Sequence, residues 1–311
     1  MNVEYVIPSY SRANLLCETT LKLLDKHKIK EVTVIVSEFQ EQTYKDELEK
    51  HRFNIKVNLF PTELEGIGNI RNLIRDMYSE GTNVLMVDDD IKQVCIKNDE
   101  TNKLIEMENI NEFVEKMFKK CVEEDIYYWG VHLHNNPFFM KKDFVRGLNY
   151  INGSFTGVRI EHSKKKIRTN INHFEDYLFS ILHYIRDKNV LKAANVCLKT
   201  KCFNTSGGIC NQLGGLNNRK GEAVQNGDLL ESHFGDLLYL KHSKKYDIIN
   251  IQLKKMKWRE SYLDLWDNYN KHTNPIEKKD IEFDNLEKEL ENWDHDEEEV
   301  IYDFLEQGIE V

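Results

Sequence analysis

Val84-Leu85-Met86-Val87-Asp88-Asp89-Asp90 sets four consecutive apolar residues against three consecutive acids. An unbroken apolar run of that length suits a strand buried on both faces, as in a parallel sheet covered by helices. Adjacent carboxylates repel and raise one another's pKa, so the cluster is costly unless a cation meets it. A strand that delivers Asp-x-Asp to a sheet edge presents hard oxygen ligands that a divalent cation can bridge to a diphosphate. Asp88 and Asp90 are therefore the candidate metal ligands, with Asp89 between them. The bland alternative is a solvated acidic turn after a strand.

Upstream, the chain repeats one pattern. Val3–Ile7 reads as a strand, and Ser11 as the N-cap of a helix that gathers Leu15, Leu16, Leu23 and Leu24 on one face. Val32–Val36 is a second strand, followed by an amphipathic stretch over Gln42–Lys50. Ile55–Phe60 and Ile67–Tyr78 supply a further strand and helix before Val84–Val87. Strands alternating with helices predict an α/β fold with a parallel, doubly wound sheet. Ligands of such sheets bind beyond the carboxyl ends of the strands. Pro8-Ser9-Tyr10-Ser11-Arg12, Ser37-Glu38, Gly66–Asn72 and the three aspartates all fall there.

Downstream the pattern changes. Strands are predicted at Ile91–Ile96, Tyr127–Leu133, Leu148–Ile151, Ser154–Ile160, Val190–Leu198, Leu237–Leu240 and Tyr246–Ile251. Helices are predicted at Asn109–Glu123, His173–Tyr184 and Glu222–Glu231, and helical spacing recurs at Leu286, Leu290, Trp293, Val300, Ile301 and Leu305.

Gly66-Ile67-Gly68-Asn69-Ile70-Arg71-Asn72 opens a helix. It lacks the third glycine of a dinucleotide fingerprint and follows the wrong strand for one. As a turn that carries Arg71 toward a diphosphate, it agrees with the aspartates. Phosphatases of the haloacid dehalogenase type also place Asp-x-Asp after an apolar strand, but there the motif ends the first strand. Here it ends the fourth and is followed by Ile91-Lys92.

Taken in order, these motifs resemble those of the GT-A glycosyltransferases over roughly the first third of the chain. The resemblance implies a Rossmann-like mixed sheet with a nucleotide-sugar site. Pro8, Ser9, Tyr10, Arg12 and Glu38 would hold the nucleotide's base and ribose, with Gly68, Arg71, Asn72, Asp88 and Asp89 near the diphosphate. Asp88 and Asp90 would bind Mn2+ or Mg2+, joined by a late histidine, His242, with His233 as its rival. Members of the fold also carry an acid on the acceptor side. His173-Phe174-Glu175-Asp176-Tyr177 fits, with Asp176 the candidate general base and Glu175 second. A carboxylate there can take the proton of an attacking hydroxyl. The competing explanation is a pair of acids favoured by a helix dipole.

Pro-Ser-Tyr-Ser-Arg, Gly-x-Gly-x-x-Arg-Asn and His-Phe-Glu-Asp-Tyr together look most like the bacteriophage and kinetoplastid enzymes that glycosylate hydroxymethylated pyrimidines in DNA, the latter in base J synthesis. This implies a UDP-sugar donor and a DNA acceptor. The alternatives are a saccharide or protein acceptor, or an inactive binding module on the same scaffold.

Charge bears on the acceptor independently. The 311 residues carry a formal net charge of −10, which taken as an average argues against a nucleic-acid partner. The charge is unevenly spread: residues 1–129 carry −8, 130–276 carry +10 and 277–311 carry −12. His134, Lys165, Lys166, Arg168, Lys244 and Lys245, interleaved with Phe138 and Phe139, are the candidate acceptor contacts. A basic surface balancing the acidic segment is the bland alternative.

Residues 1–96 are accordingly expected to form the nucleotide-sugar-binding half of one domain, 97–275 its acceptor-binding half, and 276–311 an acidic helical extension. The six cysteines lack framework spacing, which suits a reducing compartment. Cys197, Cys202 and Cys210 have no CxxC partner or suitably spaced histidine for zinc. No apolar run is long enough for a membrane span. The expected location is the cytoplasm, that of a bacterial host if the chain is phage-encoded.

Overall fold

The computed structural model describes residues 1–200, 216–243 and 248–272. Lys244, Lys245, Cys202, Cys210 and the acidic segment after Pro275 lie outside the described residues, as does the side chain of His242.

The expected strand–helix alternation is present. β1 (Val3–Pro8), β2 (Glu31–Ser37), β3 (Lys56–Thr62) and β4 (Asn83–Val87) are parallel in the order β3-β2-β1-β4. Their connections are α1 (segments Ala13–Leu16, Cys17–Leu21 and Lys22–Lys26, the middle one π-helical), α2 (Glu41–Glu49) and α3 (Ile67–Met77). Beyond β4 the sheet turns mixed. β9 (Phe155–Arg159) runs antiparallel to β4, followed by β7 (Tyr128–His132), β10 (Leu191–Thr200), β5 (Ile91–Asn98) and β6 (Lys103–Glu106). The short β8 (Phe144–Val145) pairs with β10. The strands of both expected halves thus join one α/β sheet. β11 (Leu238–Ser243) and β12 (Ile248–Leu253) form a separate hairpin.

Two apolar layers sandwich the sheet. On one face α1, α2 and α4 (Ile110–Glu123) cover Ile7, Val34, Leu85 and Val87. On the other, α3 and α5 (Glu175–Asp187) cover Val6, Val84 and Met86, with α6 (Leu216–Phe234) and α7 (Tyr262–His272) packed outside them. The alternation of Val84 and Met86 with Leu85 and Val87 between two buried layers is why this strand reads as uninterrupted apolar sequence.

Four local readings need correction. Ser11 is not an N-cap: it sits at φ 54°, its amide and hydroxyl bonded to the Gln40 side chain, and the helix starts after Arg12 without a side-chain cap. Leu148–Ile151 is not a strand; Ile151 N–H donates to Ser180 Oγ at 3.0 Å and not to a neighbouring strand. β6 pairs with β5 as a hairpin that the alternation pattern did not reveal, and α7 was likewise unmarked.

The α3–α5 contact includes a buried polar cluster. Arg75 Nη1 donates to His183 Nε2 at 3.0 Å, and its guanidinium lies 4.3 Å from the Phe179 ring centre. His183 Nδ1 is 2.8 Å from Asp187 Oδ2, and Tyr128 stacks on the imidazole at 4.6 Å. Because Nε2 must accept from arginine, these partners assign the neutral tautomer with its proton on Nδ1. Burial pushes the imidazole pKa down to about 3, against the pull of Asp187. Asp187, despite its own burial, is held below the usual carboxylate range by His183 and Arg186. An unfolded chain would therefore take up a proton at residue 183 below about pH 6.5 that the folded chain refuses. Stability contributed here is full above that pH and falls as pH drops toward 3, by at most about 1.4 kcal/mol per unit. Urea unfolding at pH 7.5 and 5.5 should show the loss, and His183→Gln should flatten it.

Candidate active site

β1 and β4 end side by side, since Val6 pairs with Met86, and this places Pro8–Arg12 against the three aspartates. Asp89 turns inward. Its carboxylate accepts from Ser9 Oγ at 2.6 Å and from Arg12 Nη1 at 3.3 Å, and Ser9 Oγ lies 2.7 Å from Tyr44 OH. Asp88 remains about one-third exposed, with Arg71 Nη2 at 3.8 Å, whereas Asp90 is buried with Arg12 at 3.9 Å. Burial raises both inner carboxyls, Asp89 to about 6 and Asp90 to about 7; Asp90 is pushed further by its two acidic neighbours.

The backbone of this turn is pinned from behind by α1. Thr20 Oγ1 donates to Asp88 O at 2.8 Å and accepts from Ile91 N–H at 2.9 Å, and Thr19 Oγ1 lies 2.8 Å from Asp89 O. Both threonines belong to the π-helical segment, a local widening of the kind that recurs at functional sites. Two β-branched residues in mid-helix were the available sign of this role.

Arg71, on the second turn of α3, is buried to 5% exposure between two acids: Asp88, and Glu175 Oε1 at 3.3 Å from Nη1. Its Nε and Nη1 have no hydrogen-bond partner, and its flanking acids raise its pKa against the effect of burial. Gly153 gives it room, because a Cβ there would lie 1.9 Å from Nη1. Glu175 is raised to about 8 by burial and by Asp176, against the pull of Arg71. Asp176, the next residue of α5, is raised by burial and accepts from Tyr150 OH at 2.6 Å, Gly153 N–H at 3.3 Å and Tyr177 N–H at 2.9 Å. Ser154 O in turn accepts from Asp88 N–H at 2.9 Å. Residues 150–154 therefore tie the aspartate turn to the start of α5, a link that reading Leu148–Ile151 as a strand hid.

The remaining candidates are held by other partners. The amide of Asn72 is spent on the Thr169 backbone at 2.7 and 3.0 Å, and Gly68 N–H donates to Asn172 Oδ1 at 3.1 Å. Gly68 is small because a Cβ would meet Ile171 O at 2.3 Å. Tyr10 packs edge-on to Phe39 beside exposed Glu38, and Pro8 ends β1. His134 follows β7, bonded through its backbone to His132 Nδ1. Lys166 and Arg168 both pair with Asp76 in the last turn of α3, and Lys165 with Asp267, so these three cations meet local acids at the far end of α3 from Arg71. His233 folds back on its own helix, its Nδ1 3.0 Å from Leu229 O.

No group of three or more His, Cys, Asp and Glu side chains gathers as a metal site among the described residues. Asp88 and Asp90 nevertheless suit a hard divalent ion of the Mg2+ type, which binds through one or two carboxylates and completes its shell with substrate phosphates and water. Asp90, raised by burial and by its two acidic neighbours against the pull of Arg12, is the carboxylate such an ion would relieve.

Fold and site together define an α/β protein with a buried arginine set among acids at the carboxyl edge of its parallel strands. No family model and no curated protein sequence matches the chain. Solved structures do resemble it. Staphylococcus aureus TarS 1–349 in complex with UDP-GlcNAc shares 17% identity at a TM-score of 0.44, over 74% of this chain and 67% of that one. The mannosyltransferase PcManGT from Pyrobaculum calidifontis, in complex with GDP-Man and Mn2+, shares 13% at 0.49, over 73% and 63%. The chain spans 66% of TarS 1–349 and 40% of a longer TarS chain. No helix among the described residues is long and apolar enough to cross a membrane.

Proposed function

We propose that this chain is a divalent-metal-dependent glycosyltransferase that moves a sugar from a nucleoside diphosphate to a hydroxyl acceptor. The observation that carries the reading is the placement of Arg71, buried with Nε and Nη1 making no hydrogen bond, between Asp88 and Glu175 at the strand edge. A guanidinium with free donors at such an edge suits a diphosphate, and the carboxylates on either side divide the work of donor and acceptor.

Pro8–Arg12 and Glu38 would border the nucleotide, for which uridine is the proposed base, and Arg71 would orient its diphosphate. Asp88 and Asp90, with His242 as third ligand, would hold Mn2+ or Mg2+. Such an ion, when bound, neutralises charge on the departing diphosphate. Asp176 would take the proton of the attacking hydroxyl as its oxygen bonds to the anomeric carbon. Residues 1–96 would then serve mainly the donor and 97–275 the acceptor.

For the acceptor we propose the hydroxymethyl group of a modified pyrimidine in DNA, on the strength of the sequence motifs and the +10 middle block. Such a base must leave the helical stack to be reached. The proposed contacts are His134, Lys244 and Lys245 together with Lys165, Lys166 and Arg168, which would exchange their present acidic partners for phosphate.

Incubation with a panel of nucleotide sugars and Mn2+, with and without hydroxymethylated DNA, tests both levels. Sugar release from one donor, lost in Asp90→Ala, supports the enzyme; no binding of any nucleotide sugar rejects it. Transfer to DNA whose affinity falls steeply with salt supports the acceptor, and transfer only to a saccharide replaces it.

A further inference from the structure

Asp176 is held by an unusual number of donors for a residue at the start of a helix. Tyr177 N–H reaches its Oδ1, while Gly153 N–H and Tyr150 OH share its Oδ2, the phenol at 2.6 Å. The Tyr150 oxygen itself accepts from Asn152 Nδ2 at 3.1 Å, so its one proton is directed at the carboxylate. Its ring cannot swing away freely, because it stacks on Tyr177 at 3.9 Å and 17°. Tyr150 and Asp176 lie 26 residues apart, so this bond closes the 150–154 loop onto α5 instead of serving a local turn. The charged and titratable groups around Asp176 are Arg71 from α3, Glu175 and Tyr177 from its own helix, Tyr128 from β7 and Tyr150 itself. Of their side chains, those of Arg71 and Tyr150 favour the carboxylate form of Asp176, alongside the backbone donors of Gly153 and Tyr177.

We propose that Tyr150 is a positioning residue for proton transfer, locking the Asp176 carboxylate in one orientation as the proton acceptor. The inference rests on the reading of Asp176 as the general base. A hydrogen bond to a charged acceptor stabilises the ionised form by an amount equivalent to about one pH unit. Removing the phenol hydroxyl leaves the ring stack and the backbone donors in place.

The test is Tyr150→Phe, read in two ways. Carbon-13 NMR of the carboxyl groups, with Asp176→Asn to assign the signal, needs no substrate; the Asp176 titration should move up by about one unit. In transfer assays the acid limb of the pH–rate profile should move up by the same amount, with kcat reduced about tenfold or more and the donor KM within about twofold. An unmoved carboxyl titration overturns the proposal whatever the activity does. A moved titration with near-normal transfer by Asp176→Asn keeps Tyr150 as the residue that tunes Asp176, and removes Asp176 as the base. If Tyr150→Phe fails to fold, Asn152→Ala, which frees the phenol to turn from the carboxylate, should give the same shift in smaller measure; no shift there overturns the proposal as well.

Discussion

Asp176→Asn should reduce sugar transfer by about 10²–10⁴-fold while leaving nucleotide-sugar binding close to that of the parent. The amide preserves shape, and its oxygen, placed at the Oδ2 position, can still accept from Tyr150 OH and Gly153 N–H while only the Tyr177 N–H loses its acceptor. It cannot take a proton from an acceptor hydroxyl. Because Arg71 contacts Glu175 and Asp88 directly, neutralising Asp176 leaves the donor side paired as before. The expected signature is a fall in kcat with little change in donor KM, and isothermal titration with the nucleotide sugar should confirm unchanged affinity. Transfer within about threefold of the parent would remove Asp176 from the role and shift attention to Glu175.

Gly153→Ala should be nearly as damaging although it adds one carbon. The new Cβ would fall within 1.9–2.3 Å of Arg71 Nη1, Nη2 and Cζ, so the guanidinium has to leave its seat. Arginine is long enough to yield, and the cost to stability is therefore modest beside the cost to the site. With the cation displaced, Asp88 and Glu175 lose the charge between them, and the buried Glu175 faces the field of half-buried Asp88 without compensation. We expect transfer to fall by about 100-fold or more, with a raised donor KM. A double-mutant cycle identifies the cause: adding Arg71→Ala to Gly153→Ala should cost almost nothing further, whereas additive losses would mean that the glycine acts through some other neighbour.

Much of the fold was legible because β1, β2 and β4 are buried on both faces and their helices are amphipathic, so periodicity alone separates them. Asp88-Asp89-Asp90, Arg71 and the Glu175-Asp176 pair were legible for the same reason: each stands where an apolar run meets a polar segment. Their mutual geometry was not. Nothing local marks Tyr150 or Gly153, whose partners lie 26 and 82 residues away in sequence. Ser11 was misread because a serine before an apolar helix satisfies the capping pattern whether or not its backbone does, and here its φ is left-handed. Lys165, Lys166 and Arg168 form a basic run, and only the fold reveals that Asp76 and Asp267 answer them. Asn72 is a similar case, a polar residue beside a motif whose amide serves as a clamp on a neighbouring loop.

The antiparallel insertion of β9 beside β4 has a bearing on how the molecule can be made. Val84–Val87 finds β1 early in the chain, but its other edge stays open until residues 155–158 have been synthesised. A nascent or truncated chain ending near residue 96 would thus expose an apolar strand edge bordered by three acids, the kind of edge that recruits other strands. The acids then act as gatekeepers before they act as ligands, their mutual repulsion discouraging self-association at the growing end until β9 arrives.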